Sequence, residues 1–110
     1  MKDIDYIITG STGFVGNNLK LYLNEREKNI IGVSRNPLKE EISYSELNDS
    51  YLNNSKVFIH LAGKAHDLKN TSEDSEYFEV NTELTKTLFV KFLKSDCEVF
   101  IYMSSDRKSV

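Results

Sequence analysis

Tryptophan is missing from this 110-residue chain, and proline and cysteine each occur once. A single cysteine, Cys97, excludes an internal disulfide and any multi-cysteine metal site, and reads as a small buried residue near a strand start. No apolar run approaches the roughly 18 residues needed to cross a bilayer. Lys2, Asp3 and Asp5 interrupt the segment where a secretory leader would lie, so the expectation is a soluble, cytoplasmic protein without a membrane partner. With 14 basic against 17 acidic side chains the net charge is −3, and no basic run stands out, which speaks against nucleic acid. Repeats, linkers and low-complexity tracts are absent as well. What remains, 39% hydrophobic and 28% charged, has the composition of one small globular domain and is too short for two.

The chain is organised around Tyr6-Ile7-Ile8-Thr9-Gly10-Ser11-Thr12-Gly13-Phe14-Val15-Gly16, which reads as a buried strand, a glycine turn and a helix start. Gly10 permits the sharp turn off the strand, Gly13 lets backbone N–H groups approach an anion, and Gly16 lets the helix lie close to its strand. The helix start adds unpaired donors and a positive dipole end, which suits a pyrophosphate. A glycine triplet alone is equally a tight turn; its place between strand and helix points to a dinucleotide site.

Ile4 to Thr9 is the first strand. Val15, Leu19, Tyr22 and Leu23 then follow helical spacing with one buried face, and Ile30 to Ser34 returns to a strand. Strand, helix and strand of this length make a right-handed crossover between parallel strands. Asn36-Pro37 ends the second strand. Leu38 to Asn54 is weakly patterned: Ser43 with Glu46 caps a short helix, or Ile42-Ser43-Tyr44 forms a short edge strand. Lys56 to Leu61 is a buried strand ending at Ala62-Gly63, followed by a polar loop. A helix beginning at Thr71 or Ser72 carries Tyr77, Val80, Leu84, Leu88 and Phe92 on one face, and Glu98 to Ser104 is the last strand. This alternation predicts a parallel sheet covered on both faces.

Four stretches together resemble the extended short-chain dehydrogenase/reductase superfamily, in its NAD(P)-dependent nucleotide-sugar epimerase/dehydratase branch. Thr9-Gly10-Ser11-Thr12-Gly13-Phe14-Val15-Gly16 matches the family's T-G-x-x-G-x-x-G turn. His60-Leu61-Ala62-Gly63 matches H-x-A-[AG], Val80-Asn81-Thr82 matches V-N-x, and Phe100 to Ser105 matches the family's fifth strand with its serine pair. The resemblance implies a Rossmann-type doubly wound parallel sheet over residues 1–110, truncated after about five strands. It places Ser11 to Val15 at the pyrophosphate, Leu61 to Gly63 at the adenosine and ribose, and Ser104 at the nicotinamide. Ser105 takes the place of the catalytic Ser/Thr, whose hydroxyl can donate to and accept from the reacting oxygen. Asn81 takes that of a residue anchoring strand ends beside the active site.

The second strand carries the choice of cofactor. An acidic residue there would bind a ribose 2′-hydroxyl and repel a 2′-phosphate; this chain has Ser34-Arg35, about twenty residues past the glycine turn. Arginine pairs with a 2′-phosphate through a charge-assisted fork and serine donates to it, so NADP comes before NAD, with a plain surface arginine as the competing reading. His60 reads as a packed residue, since neither it nor His66 has a partner at metal-ligand spacing. Lys64 and Asp67 read as solvated loop charges or as substrate contacts.

One family element is missing. Enzymes of this kind use Tyr-x-x-x-Lys on a later helix as general acid/base, and none of the six tyrosines here has a lysine four positions on. The charged tail Asp106 to Val110 is also unlike the family, as an artificial end or an altered reading frame would be. The expectation is the cofactor-binding portion of a nucleotide-sugar epimerase, dehydratase or reductase, inactive as this piece. The alternative is a non-catalytic NADP-binding or sensor module, which a downstream Tyr-x-x-x-Lys would argue against. With the sheet truncated after this strand, Val99 to Met103 would form an uncovered apolar edge, and the expectation is self-association through that edge or through the uncovered sheet face.

Overall fold

The computed structural model describes residues 2–62 and 71–104, with side chains for 2–61 and 82–103. Strand β1 (Ile4–Thr9) leads through the glycine turn into helix α1 (Phe14–Glu25) and strand β2 (Ile30–Val33). A short helix α2 (Asp49–Asn53) precedes β3 (Ser55–Ala62), and the long α3 (Thr71–Leu93) precedes β4 (Val99–Ser104). Among the described residues the strands form a parallel sheet in the order β2-β1-β3-β4. The chain leaves β1 towards β2 on one side and reaches β3 on the other, so the topology reverses between β1 and β3. Ligand crevices of open α/β sheets lie at such a point, outside the carboxyl ends of the strands.

The neighbours Ile7 and Ile8 point to opposite faces of the sheet, and both are fully buried. That requires cover on both sides, as a parallel sheet receives from its crossover helices. Under α1, Ile8, Ile59 and Leu61 pack with Leu23 and the half-buried Leu19. On the other face Ile7, Val33 and Phe58 meet Leu47, Leu52 and Leu88, with Leu84, Phe92 and Phe100 at the margin. Cys97 belongs to this second core, as its sequence position predicts.

Two details depart from the sequence pattern. The buried side of α1 runs through Gly16, Leu19 and Leu23, while Val15 and Tyr22 are 49% and 52% exposed. The stripe is rotated because Gly16, with no side chain to count as apolar, is the point of closest approach. Between β2 and β3 both alternatives for residues 42–46 are partly realised. Ile42 makes one parallel bridge to Val33, and Ser43 caps a single 3-10 turn, Tyr44–Glu46, through a reciprocal box with Glu46. That bridge does not extend into a strand, so the described sheet has four strands rather than about five. Helix α2, capped by Asn48 accepting from the Tyr51 amide, has no periodic signal because it is only 5 residues long.

Candidate functional site

The glycine turn sits at the carboxyl end of β1 against both neighbours. The amides of Gly10 and Ser11 donate to the Val33 carbonyl of β2 at 2.9 and 3.4 Å, and Gly13 N–H closes the turn on Gly10 O at 3.1 Å. Gly10 has φ of 69°, a left-handed conformation that favours glycine, and a Cβ there would lie 2.8 Å from the Leu61 carbonyl oxygen. A Cβ on Gly16 would collide with Gly10 O and come within 2.8 Å of Ser11 Cα. The fold itself therefore demands both outer glycines.

Gly13 is different. It has φ of −76°, which any residue adopts, and a Cβ there would meet only Gly10 O, at an ordinary 3.5 Å. Packing within the chain gives no reason for a bare backbone at this position, which faces outward as the N-cap of α1. No side chain caps that helix and no acid occupies its first turn. Thr12, Phe14 and Val15 are all exposed, so the helix mouth stays open, with its first amides lacking intrahelical partners. Both features leave room for an anion from outside the chain to approach closely.

Ser34 lies one residue past β2, 3% exposed, and its hydroxyl has no hydrogen-bond partner. An orphaned buried hydroxyl is costly unless something else satisfies it. Arg35 beside it is exposed. Leu61 and Ala62 close β3 next to the turn, and Ala62 pairs in register with Ser104 of β4. The backbone thus brings residues 10–16, 34–35, 61–62 and 104 to one edge of the sheet. Asn81 lies within α3. Gly63, Ser105, Lys64, His66 and Asp67 lie outside the described residues.

A buried hydrogen-bond chain ties this edge together. The Leu61 amide donates to Thr9 Oγ1 at 3.2 Å, and the Thr9 hydroxyl shares a 2.6 Å hydrogen bond with His60 Nδ1. The other ring nitrogen, Nε2, is hydrogen-bonded to Thr85 Oγ1 of α3 at 2.9 Å. Burial lowers the His60 pKa to about 4, in keeping with a neutral ring. His60 is the packed residue the sequence suggests; Thr9 opens the glycine-turn motif with no hint there of this bond, and Thr85 carries no pattern that marks it.

Sequence reasoning also passes over Glu41 and Lys20. Glu41 ion-pairs with Lys20 of α1 at 6% side-chain exposure, and its other oxygen accepts the Leu38 amide at 3.0 Å. Burial pushes the Glu41 carboxyl up; hydrogen bonds from Lys20, the Leu38 amide and Ser11 more than reverse this and hold it below its ordinary value. The signal that could have pointed here is Gly32, a glycine inside a strand. Its missing Cβ would lie 2.8 Å from Glu41 Oε2 and 2.9 Å from Ser11 Oγ. No group of three or more His, Cys, Asp or Glu able to hold a metal occurs among the described residues. No described helix is long and apolar enough to cross a membrane.

Comparison with known proteins agrees with this geometry. The model of the NAD dependent epimerase/dehydratase family matches residues 6–108. A UDP-glucose 4-epimerase from Vibrio cholerae is 32% identical over 111 aligned residues, 90% of this chain and 34% of the relative. The chain thus spans about a third of the length of that curated relative. No solved structure matches it.

Proposed function

This chain belongs to the NAD dependent epimerase/dehydratase family, and from that premise we propose that it is the cofactor-binding portion of an enzyme acting on a nucleotide-linked sugar. The observation that carries the reading is Gly13, bare where the fold does not need it, at the open mouth of an uncapped helix. The family implies a nicotinamide cofactor, and the residues present fit one. The amides from Ser11 to Val15 would receive its pyrophosphate, with Gly10 and Gly16 shaping the turn. Leu61 to Gly63 would border the adenosine and ribose and Ser104 the nicotinamide side, with Asn81 anchoring the strand ends nearby. When bound, that group would accept or return a hydride. Ser105 would hold the reacting oxygen by hydrogen bonding, and residues 1–110 alone would not turn over substrate.

Between the two nicotinamide cofactors, we propose NADP. The unsatisfied Ser34 hydroxyl and exposed Arg35 stand where a 2′-phosphate would lie, and no carboxylate replaces them. Titration with NADPH and NADH, followed by nicotinamide fluorescence, tests both statements. Wild type binds NADPH more tightly, and Arg35→Ala weakens NADPH about tenfold while leaving NADH unchanged. Equal affinities for the two cofactors in wild type and variant would remove the NADP assignment. A folded protein that binds neither would remove the dinucleotide site. We also propose self-association through β4, whose outer edge is unpaired among the described residues.

A further inference from the structure

We propose that the partly buried Glu41–Lys20 pair is a positioning clamp that sets the loop carrying Ser34 and Arg35, and thereby the preference for the ribose 2′-substituent. The inference rests on the dinucleotide reading above. Glu41 is seven residues past Ser34, beyond the place where an acidic ribose ligand would stand at the end of β2. It lies instead under α1, over Gly32, beside the Ser11 hydroxyl and paired with Lys20.

Three anchors close the loop between Ser34 and Ile42. Ser34 N–H donates to Ile42 O at 3.1 Å, and Ile42 N–H donates to Gly32 O at 2.9 Å, pinning the loop's base to β2. At the far side Glu41 Oε1 accepts the Leu38 amide at 3.0 Å. Glu41 N–H also donates to Leu38 O at 2.9 Å, so Leu38 to Glu41 forms a doubly bonded turn. Glu40 holds φ of 73° inside it, a left-handed conformation in a non-glycine residue that the surrounding bonds must maintain. Through Oε2 the same carboxylate grips Lys20 of α1, the helix whose first turn faces the pyrophosphate.

One side chain therefore couples the helix that would read phosphates to the loop that would read the ribose. Gly32 supplies the space: a Cβ there would push against the carboxylate and against Ser11. Neutralisation matters too. Glu41 is an acid near the site, and Lys20 compensates its charge, so the field at Ser34 and Arg35 is not set against an incoming 2′-phosphate.

The experiment compares the NADPH-to-NADH affinity ratio of three proteins by fluorescence titration. Both cofactors share the pyrophosphate turn, so the ratio isolates the loop, and a merely structural role for the pair would leave it unmoved. Lys20→Met combined with Glu41→Met fills the volume with apolar groups, a replacement buried ion pairs tolerate, but offers the Leu38 amide no acceptor. Its ratio should fall about tenfold at unchanged NADH affinity. Lys20→Gln combined with Glu41→Gln keeps an acceptor and a paired partner without charge, and should stay within about twofold of wild type. A wild-type ratio in the methionine pair, or equal losses for both cofactors, would overturn the clamp while leaving the dinucleotide site standing. Failure of folded wild type to bind either cofactor would remove the site itself, and the clamp with it.

Discussion

Acidification should cost this fold about 2 kcal/mol between pH 7.5 and pH 5 through one side chain, His60. The ring is 2% exposed, hydrogen-bonds Thr9 and Thr85 through its two nitrogens, and is held neutral by burial, its pKa lowered from 6.5 to about 4. In the unfolded chain it titrates near the ordinary value. Between those two pKa values the unfolded state binds a proton that the folded state refuses, so stability falls as pH falls from about 6.5 towards 4 and levels off below. At pH 5 the unfolded ring is almost wholly charged and the folded ring about nine-tenths neutral, which with RT near 0.6 kcal/mol yields the figure above. Asp5 and Glu41, both lowered by their partners, lose their contributions as pH falls from the ordinary carboxylate range towards their lowered values, mostly below this window, and both are common to wild type and a His60→Gln variant. Urea unfolding followed by far-ultraviolet circular dichroism across pH 5 to 8 measures the slope. His60→Gln keeps a donor and an acceptor but cannot be charged, so its profile should be flatter by the same amount. His66 is common to both proteins and cancels in the difference. Parallel profiles for wild type and His60→Gln would refute the reasoning.

Other expectations follow from the packing. Gly16→Ala drives a methyl group into the Gly10 carbonyl, backbone against backbone, and should destabilise by about 3 kcal/mol in urea titration; an unchanged midpoint would contradict the close helix–strand approach. Gly13→Ala is the contrasting case: stability should hold within about 0.5 kcal/mol while cofactor affinity falls at least about tenfold. Phe58→Ala empties a fully buried site in the second core and should cost about 3–5 kcal/mol. Self-association should show in sedimentation velocity at micromolar concentration and weaken with Ile101→Lys on β4, where Ile101 is 41% exposed; a clean wild-type monomer would count against it.

Much of the framework is legible because parallel strands buried on both faces write themselves as unbroken apolar runs. Tyr6-Ile7-Ile8 and Val57 to Leu61, interrupted only by His60, need no alternation to be seen; Val99 to Met103 has the same apolar run, although Val99, Ile101, Tyr102 and Met103 on β4 are exposed. The glycine turn is legible because φ at Gly10 and contact at Gly16 admit almost nothing else. Residues 38–54 carry a weaker pattern. Their order comes from single bonds made at a distance, such as Ile42 to Gly32 and Glu41 to Lys20, and not from any period. A five-residue helix carries little more than one turn of pattern. The bonds of Thr9 and Thr85 to His60 are equally silent in sequence: the motif marks Thr9 without showing its partner, and a threonine in a helix announces nothing until His60 is placed beside it. In α1 the apolar stripe misled by one position because the true contact residue, Gly16, has no side chain to mark it.

The central claim is that the amides at the head of α1 receive a diphosphate. Amide hydrogen exchange of the wild-type protein, read residue by residue with and without saturating NADPH, tests it most directly. Protection should rise at least about tenfold at Thr12, Phe14 and Val15, with a smaller rise at Ser34. Binding that leaves those amides exchanging as in the free protein, or protects only residues away from the carboxyl edge of the sheet, would contradict the account.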